Sequence, residues 1–115
     1  MIVLGDFNTM GAEGRMGPAE EIALFDQTVG AEAPGYRVLM PALQCTEYFN
    51  GQCNALDHIV VTQAMQEAGA AEARVTGYCA VAGGRPIDPD EMPLVYARLS
   101  DHCPVVAEVQ NHDLD

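Results

Sequence analysis

Ala55-Leu56-Asp57-His58-Ile59-Val60-Val61-Thr62 decides what this chain can build. Ile59, Val60 and Val61 are apolar at consecutive positions. Successive side chains of a strand leave on opposite faces, so such a run belongs to a strand covered on both sides. Pro104-Val105-Val106-Ala107 repeats the pattern near the other end, and Ile2 to Phe7 reads as a third apolar strand. Each run carries an acid within it or beside it: Asp6, Asp57 and the pair Asp101-His102. One such acid is commonly a turn former or a helix cap. Three of them point to a shared purpose, because an acid placed among apolar side chains is costly unless it is paired.

Working outward, Asn8 to Pro18 is rich in turn residues, and Pro18, Glu20 and Glu21 form the acidic first turn of a helix running to about Val29, with Gly30 as its stop. A short strand follows at Tyr36 to Met40. Thr46 to Phe49 and Ala55 to Thr62 read as strands paired around the turn Asn50-Gly51. Gln63 to Ala71 suits a helical turn, Ala73 to Val81 an alternating strand, Gly83 to Pro93 a loop and Cys103 to Val109 the last strand. No linker or repeat divides the chain, so residues 1–115 are one unit. The fold class is α/β in the α+β sense: one mostly antiparallel sheet with one main helix. A single helix covers only one face of such a sheet, which leaves apolar strand surface without a cover.

Five arginines and no lysine stand against 17 acids, a formal charge of -12. This balance weighs against the chain alone gripping nucleic acid, which takes clustered cations. No run of eighteen apolar residues and no signal-peptide pattern occurs, so no membrane span is expected, and cytoplasmic and secreted locations both stay open. Cys45, Cys53, Cys79 and Cys103 lack C-x-x-C spacing, which disfavours a structural zinc site. Cys45 and Cys53 could close a small loop in an oxidising compartment, while the favoured reading is four small buried apolar side chains. Asp88, Asp90 and Glu91 read as a solvated turn in preference to a calcium loop, since Pro89 interrupts them.

Three segments, Gly5-Asp6-Phe7-Asn8, Leu56-Asp57-His58-Ile59 and Ser100-Asp101-His102-Cys103-Pro104-Val105, occur in that order. Together they resemble the C-terminal half of the endonuclease/exonuclease/phosphatase superfamily of metal-dependent phosphoesterases. The resemblance implies half of a deoxyribonuclease-like four-layer α/β sandwich and hydrolysis of a phosphate ester by an activated water. It implies that His102 contacts the scissile phosphate and that Asp57 orients and charge-stabilises its imidazole. It gives Asp6 the task of orienting or deprotonating the water, Asn8 that of holding the water or a phosphate oxygen, and Asp101 that of a ligand to Mg2+ or Mn2+. His58 points to the opposite face from Asp57 by strand alternation and reads as structural. His112 lies in a polar tail without a specific task.

The family's N-terminal asparagine, metal-binding glutamate and further phosphate-contacting histidine or tyrosine have no counterpart by motif. Glu13, Glu20, Glu21 and Glu47 all follow the first segment. The expectation is therefore a C-terminal portion, truncated and weakly active or inactive alone, that binds its metal weakly. The alternative is a non-catalytic remnant that uses the uncovered sheet face for self-association or to bind another protein, an N-terminal half included.

Overall fold

The structure is a computed structural model that describes residues 1–9 and 16–114. Part of the turn-rich stretch expected over 8–18, with Glu13, lies outside the described residues. The order of elements is β1 (Ile2–Asp6), α1 (Pro18–Glu32), β2 (Tyr36–Val38), β3 (Glu47–Phe49), β4 (Gln52–Asn54), β5 (Asp57–Thr62), β6 (Ala73–Val75), α2 (Tyr78–Ala82), α3 (Leu94–Leu99) and β7 (Val105–Ala107). Short 3-10 turns occupy Gln66–Ala68 and Pro89–Glu91. The class is α+β with antiparallel pairing throughout. The strands do not join one sheet as expected. They form a three-stranded sheet in the order β1-β5-β2 and two two-stranded sheets, β3-β4 and β6-β7.

β5 is the strand around which the rest is arranged, and Ile59, Val60 and Val61 are all buried. Val60 faces α1 together with Val3, Phe25 and Val29. Ile59 and Val61 face the other way, into a cluster with Leu39, Ala68 and Ala73 against which Val105 and Ala107 pack. The second cover that the sequence lacked on paper is thus the β6-β7 pair and the 3-10 turn before it. The surface that does stay open is on β1, where Ile2, Val3 and Leu4 are exposed. An apolar groove of about 250 Å³ runs beside it between Ile2, Leu4, Ile59, Val105 and Val109. The radius of gyration, 14.9 Å, exceeds the roughly 13 Å of a compact chain this long.

Local chemistry explains the departures from the expected elements. α1 runs past Gly30 to Glu32, and its end is set by Pro34, which disfavours helical backbone in the residue before it. Its start is as expected: Glu20 reaches back to the Gly17 N–H at 3.2 Å. Glu21, buried, accepts from the Ala55 N–H at 2.8 Å and ties the helix to the entrance of β5. Asn50 and Gly51 both have positive φ, 50° and 75°, as a two-residue type I′ turn requires. So tight a turn pairs Phe49 with Gln52, and the hairpin partner is β4 instead of the expected 55–62 segment. The expected strand over 73–81 stops at Val75. Gly77 turns the chain at φ 72°, close against the Tyr96 hydroxyl, and Tyr78–Ala82 is helical. The helix α3, unanticipated in the sequence, begins at Leu94, directly after Pro93 as its cap. Asp88 accepts from the Asp90 N–H at 3.0 Å in an exposed turn, as expected for a solvated loop.

The favoured reading of the cysteines is corrected. Cys45 pairs with Cys53 and Cys79 with Cys103, leaving no free cysteine among the described residues. Cys45, Cys79 and Cys103 are buried with Tyr48, Val75 and Ala82 in the second core cluster. Among the described residues no helix is long and apolar enough to cross a membrane.

Candidate functional site

The antiparallel register of β1 on β5 places Asp6 directly opposite Asp57. Like charges at opposed positions of neighbouring strands repel, so this pair needs a cation or a donor between them. His102 supplies it from a third segment. Its Nδ1 lies 2.8 Å from Asp57 Oδ2, a hydrogen bond in which the ring donates, and its Nε2 lies 3.8 Å from Asp6 Oδ2 and 3.9 Å from Asp101 Oδ1. Four of the five side chains singled out on these segments, Asp6, Asp57, Asp101 and His102, converge. The ring is half-buried, with its Nε2 edge facing two partly exposed carboxylates.

The 100–103 segment is held against β3 by its backbone. The Tyr48 N–H donates to the Asp101 carbonyl at 3.0 Å and the Cys103 N–H donates to the Thr46 carbonyl at 2.7 Å, with Glu47 and His102 as the bridged pair. The His102 N–H is in turn held by the Ser100 hydroxyl at 3.1 Å. Thr46 also secures β5, since its buried hydroxyl accepts from the N–H groups of Leu56 and Asp57 at 2.9 and 3.0 Å. One residue thereby fixes both Asp57 and the neighbour of His102. Sequence reasoning missed Thr46 and dismissed Glu47. The available signal was a polar pair, Thr46-Glu47, between Cys45 and Tyr48, both buried.

Glu47 is buried, and its carboxylate accepts from Asn54 Nδ2 at 2.6 Å. Burial pushes its pKa above the ordinary carboxylate range, helped by Asp101 and Asp57 and opposed by the Asn54 hydrogen bond and by His102. For His102 burial is the largest single influence and lowers the pKa. The hydrogen bond and charge of Asp57, with the charges of Asp6 and Asp101, together outweigh it and the net shift is upward. Asn8 sits at the turn after β1 with φ 48°, and its N–H donates to Asp6 Oδ1 at 2.7 Å. Its backbone orients Asp6, while its exposed side-chain amide makes no hydrogen bond to the described residues.

No protein-family model, curated protein or solved structure matches the chain. The site therefore has to be judged by its own chemistry. It offers an imidazole with a raised pKa held by one carboxylate, a second carboxylate across from it, and a third, Asp101, with hard oxygen donors suited to Mg2+ or Mn2+. Among the described residues no three His, Cys, Asp or Glu side chains form a metal-holding group. Asp101 could serve a divalent cation only as a single carboxylate ligand, a mode in which Mg2+ keeps waters and takes substrate oxygens for the rest of its shell.

His58 belongs to the opposite face, as strand alternation predicts. It is buried, stacked on Phe25 at 4.2 Å between ring centroids, and 3.0 Å from Thr9 Oγ1. The Thr9 hydroxyl donates to the Ala55 carbonyl at 2.9 Å, so its oxygen accepts from His58 Nε2. Burial lowers the His58 pKa below 6.5 despite the nearby charge of Asp57. The unfolded chain then binds the extra proton more readily than the folded one, and stability falls as pH drops below 6.5. Urea midpoints across that window are expected to flatten in His58→Gln; an unchanged slope would assign the acid sensitivity to other groups.

Proposed function

We propose that this chain carries the C-terminal part of a metal-dependent phosphoesterase site, folded as half of a deoxyribonuclease-like four-layer sandwich. The observation that carries the reading is the convergence of Asp6, Asp57, Asp101 and His102 from β1, β5 and the 100–103 segment onto one imidazole. Residue types in this arrangement serve phosphate-ester hydrolysis by in-line attack of water. Asp57 holds the Nδ1 proton of His102, so Nε2 is directed at the ligand, where it donates to a phosphate oxygen. Asp6, kept in place by the Asn8 N–H, accepts a proton from the attacking water. The Asn8 amide holds that water or an adjacent phosphate oxygen. Asp101 would hold Mg2+ or Mn2+, which neutralises phosphoryl charge when bound. With one carboxylate for the metal, weak metal binding and low turnover are expected of this chain alone. The two disulfides support an oxidising compartment.

Hydrolysis of bis(p-nitrophenyl) phosphate with Mg2+ or Mn2+ tests the reading. The chain is expected to show slow, metal-dependent turnover that drops to the buffer rate in both His102→Ala and Asp6→Asn. Turnover that survives both substitutions would sink it.

One observation favours a second reading, a module for self-association or for pairing with another protein. β1 is an edge strand of the three-stranded sheet with Ile2, Val3 and Leu4 exposed, and such an edge is a template for another strand. Sedimentation at micromolar concentration separates the two, since a strict monomer leaves the edge unused.

A further inference from the structure

The turn of the β3-β4 hairpin, the 3-10 turn Pro89–Glu91 and α3 enclose an open cleft of about 390 Å³ that ends at Ser100 and Asp101. Its far end is therefore continuous with the carboxylate that faces His102 Nε2. The wall is firmly built. The Ile87 N–H donates to the Gly51 carbonyl at 2.9 Å, and a side chain at Gly51 would collide with the Ile87 carbonyl, so the hairpin turn and the 87–91 segment hold each other. Phe49 stands on the rim at 56% exposure, with Met92 and Tyr96 beside it.

Arg98 lines the same cleft. Of the arginines among the described residues, Arg37 donates to the Ala68 carbonyl, Arg74 is paired with Glu108 and Arg85 donates to the Ala82 carbonyl. Arg98 alone makes no hydrogen bond or ion pair with any described residue. In a chain of charge -12, a guanidinium without a partner among the described residues, lining one cleft with an exposed aromatic ring, suits an anion attached to a flat body.

We infer that this cleft is a subsite for the part of a small phosphoester beyond the scissile group, and that it takes a flat, apolar body carrying a second anionic group. The inference rests on the phosphoesterase reading of the adjoining site. Phe49 stacks on the body and Arg98 pairs with the second anion. One cation suits one additional phosphate and not a polymer backbone, whose recognition takes many.

Three probes followed by NMR on the oxidised chain test this: thymidine 3′,5′-bisphosphate, thymidine 5′-monophosphate and inorganic phosphate. The bisphosphate is expected to shift the resonances of Phe49, Arg98 and His102 together and to bind about five-fold tighter than the monophosphate, the size an exposed ion pair provides. Arg98→Gln should erase that advantage while leaving monophosphate binding intact. Phe49→Ala should weaken both nucleotides and leave inorganic phosphate unchanged. Both side chains are exposed, so the melting temperature of each variant should match the parent and serves as the control for folding. A His102 response to all three probes with no advantage for the bisphosphate overturns the subsite and leaves the phosphoesterase reading standing. A response at Arg98 without any at His102 overturns both.

Discussion

Replacing Cys79 and Cys103 together by alanine is expected to lower the unfolding free energy by about 3 kcal/mol, since the bridge closes a long loop in the unfolded chain. The two residues are 24 apart in sequence. A loss of that size is a large share of the 5–15 kcal/mol that holds an ordinary domain together. It weighs more here because the core cluster around Tyr48 is small, and three of its six buried members are cysteines. The consequence reaches the candidate site through short links. Cys103 follows His102 directly, its sulfur accepts from the Cys79 N–H at 3.1 Å and its own N–H donates to Thr46. Thr46 in turn follows Cys45 and holds the backbone of Asp57. Urea unfolding with and without a phosphine reductant, alongside the Cys79→Ala/Cys103→Ala variant, measures the effect. The reduced chain should lose at least as much stability as the variant, because Cys45–Cys53 opens too. Equal midpoints for all three would mean that packing alone holds the segment.

The strands that carry chemistry were legible because their signals are local. Three consecutive apolar residues at Ile59–Val61 specify a two-sided strand wherever the covers come from, and an acid beside each apolar run stands out against it. The placement of Asp57 and His58 on opposite faces follows from the period of a strand alone, and the structure divides them accordingly, Asp57 to His102 and His58 to Phe25. The hairpin partner of β3 was misjudged because the apolar 55–62 segment outweighed Gln52–Asn54, a polar strand whose only signal was its distance from the Asn50-Gly51 turn. α2 was hidden in an alternating pattern that Gly77 breaks. The Cys45–Cys53 pair was within reach of the sequence through its short separation, but Cys79–Cys103 was not, since that pairing depends on which elements fold against one another. Thr46 was missed for the same reason: its hydroxyl matters only once β3 is laid beside the start of β5.

Asp57→Asn is expected to lower the pKa of His102 and to reduce turnover of the diester by about a hundredfold or more, the range of a displaced acid–base group. In the parent chain burial presses the imidazole toward its neutral form, and Asp57 is the first of the groups that reverse this. Asparagine keeps the shape but removes the charge, so burial regains the upper hand and the pKa moves down. Asp6 and Asp101, at 3.8 and 3.9 Å on the Nε2 side, soften the fall without cancelling it. The same change has a signature in stability. A histidine whose folded pKa is raised contributes stabilisation that is full below its unfolded value of about 6.5 and is lost as pH rises through the folded value. The parent should therefore lose stability across that upper window and the variant should not. Proton NMR titration of the His102 ring reports the pKa directly, with His58 in the same spectrum as an internal reference for the fold. A His102 pKa that stays put in Asp57→Asn would place the upward pull on Asp6 and Asp101 instead, and Asp57 would then hold the ring by geometry without tuning its proton.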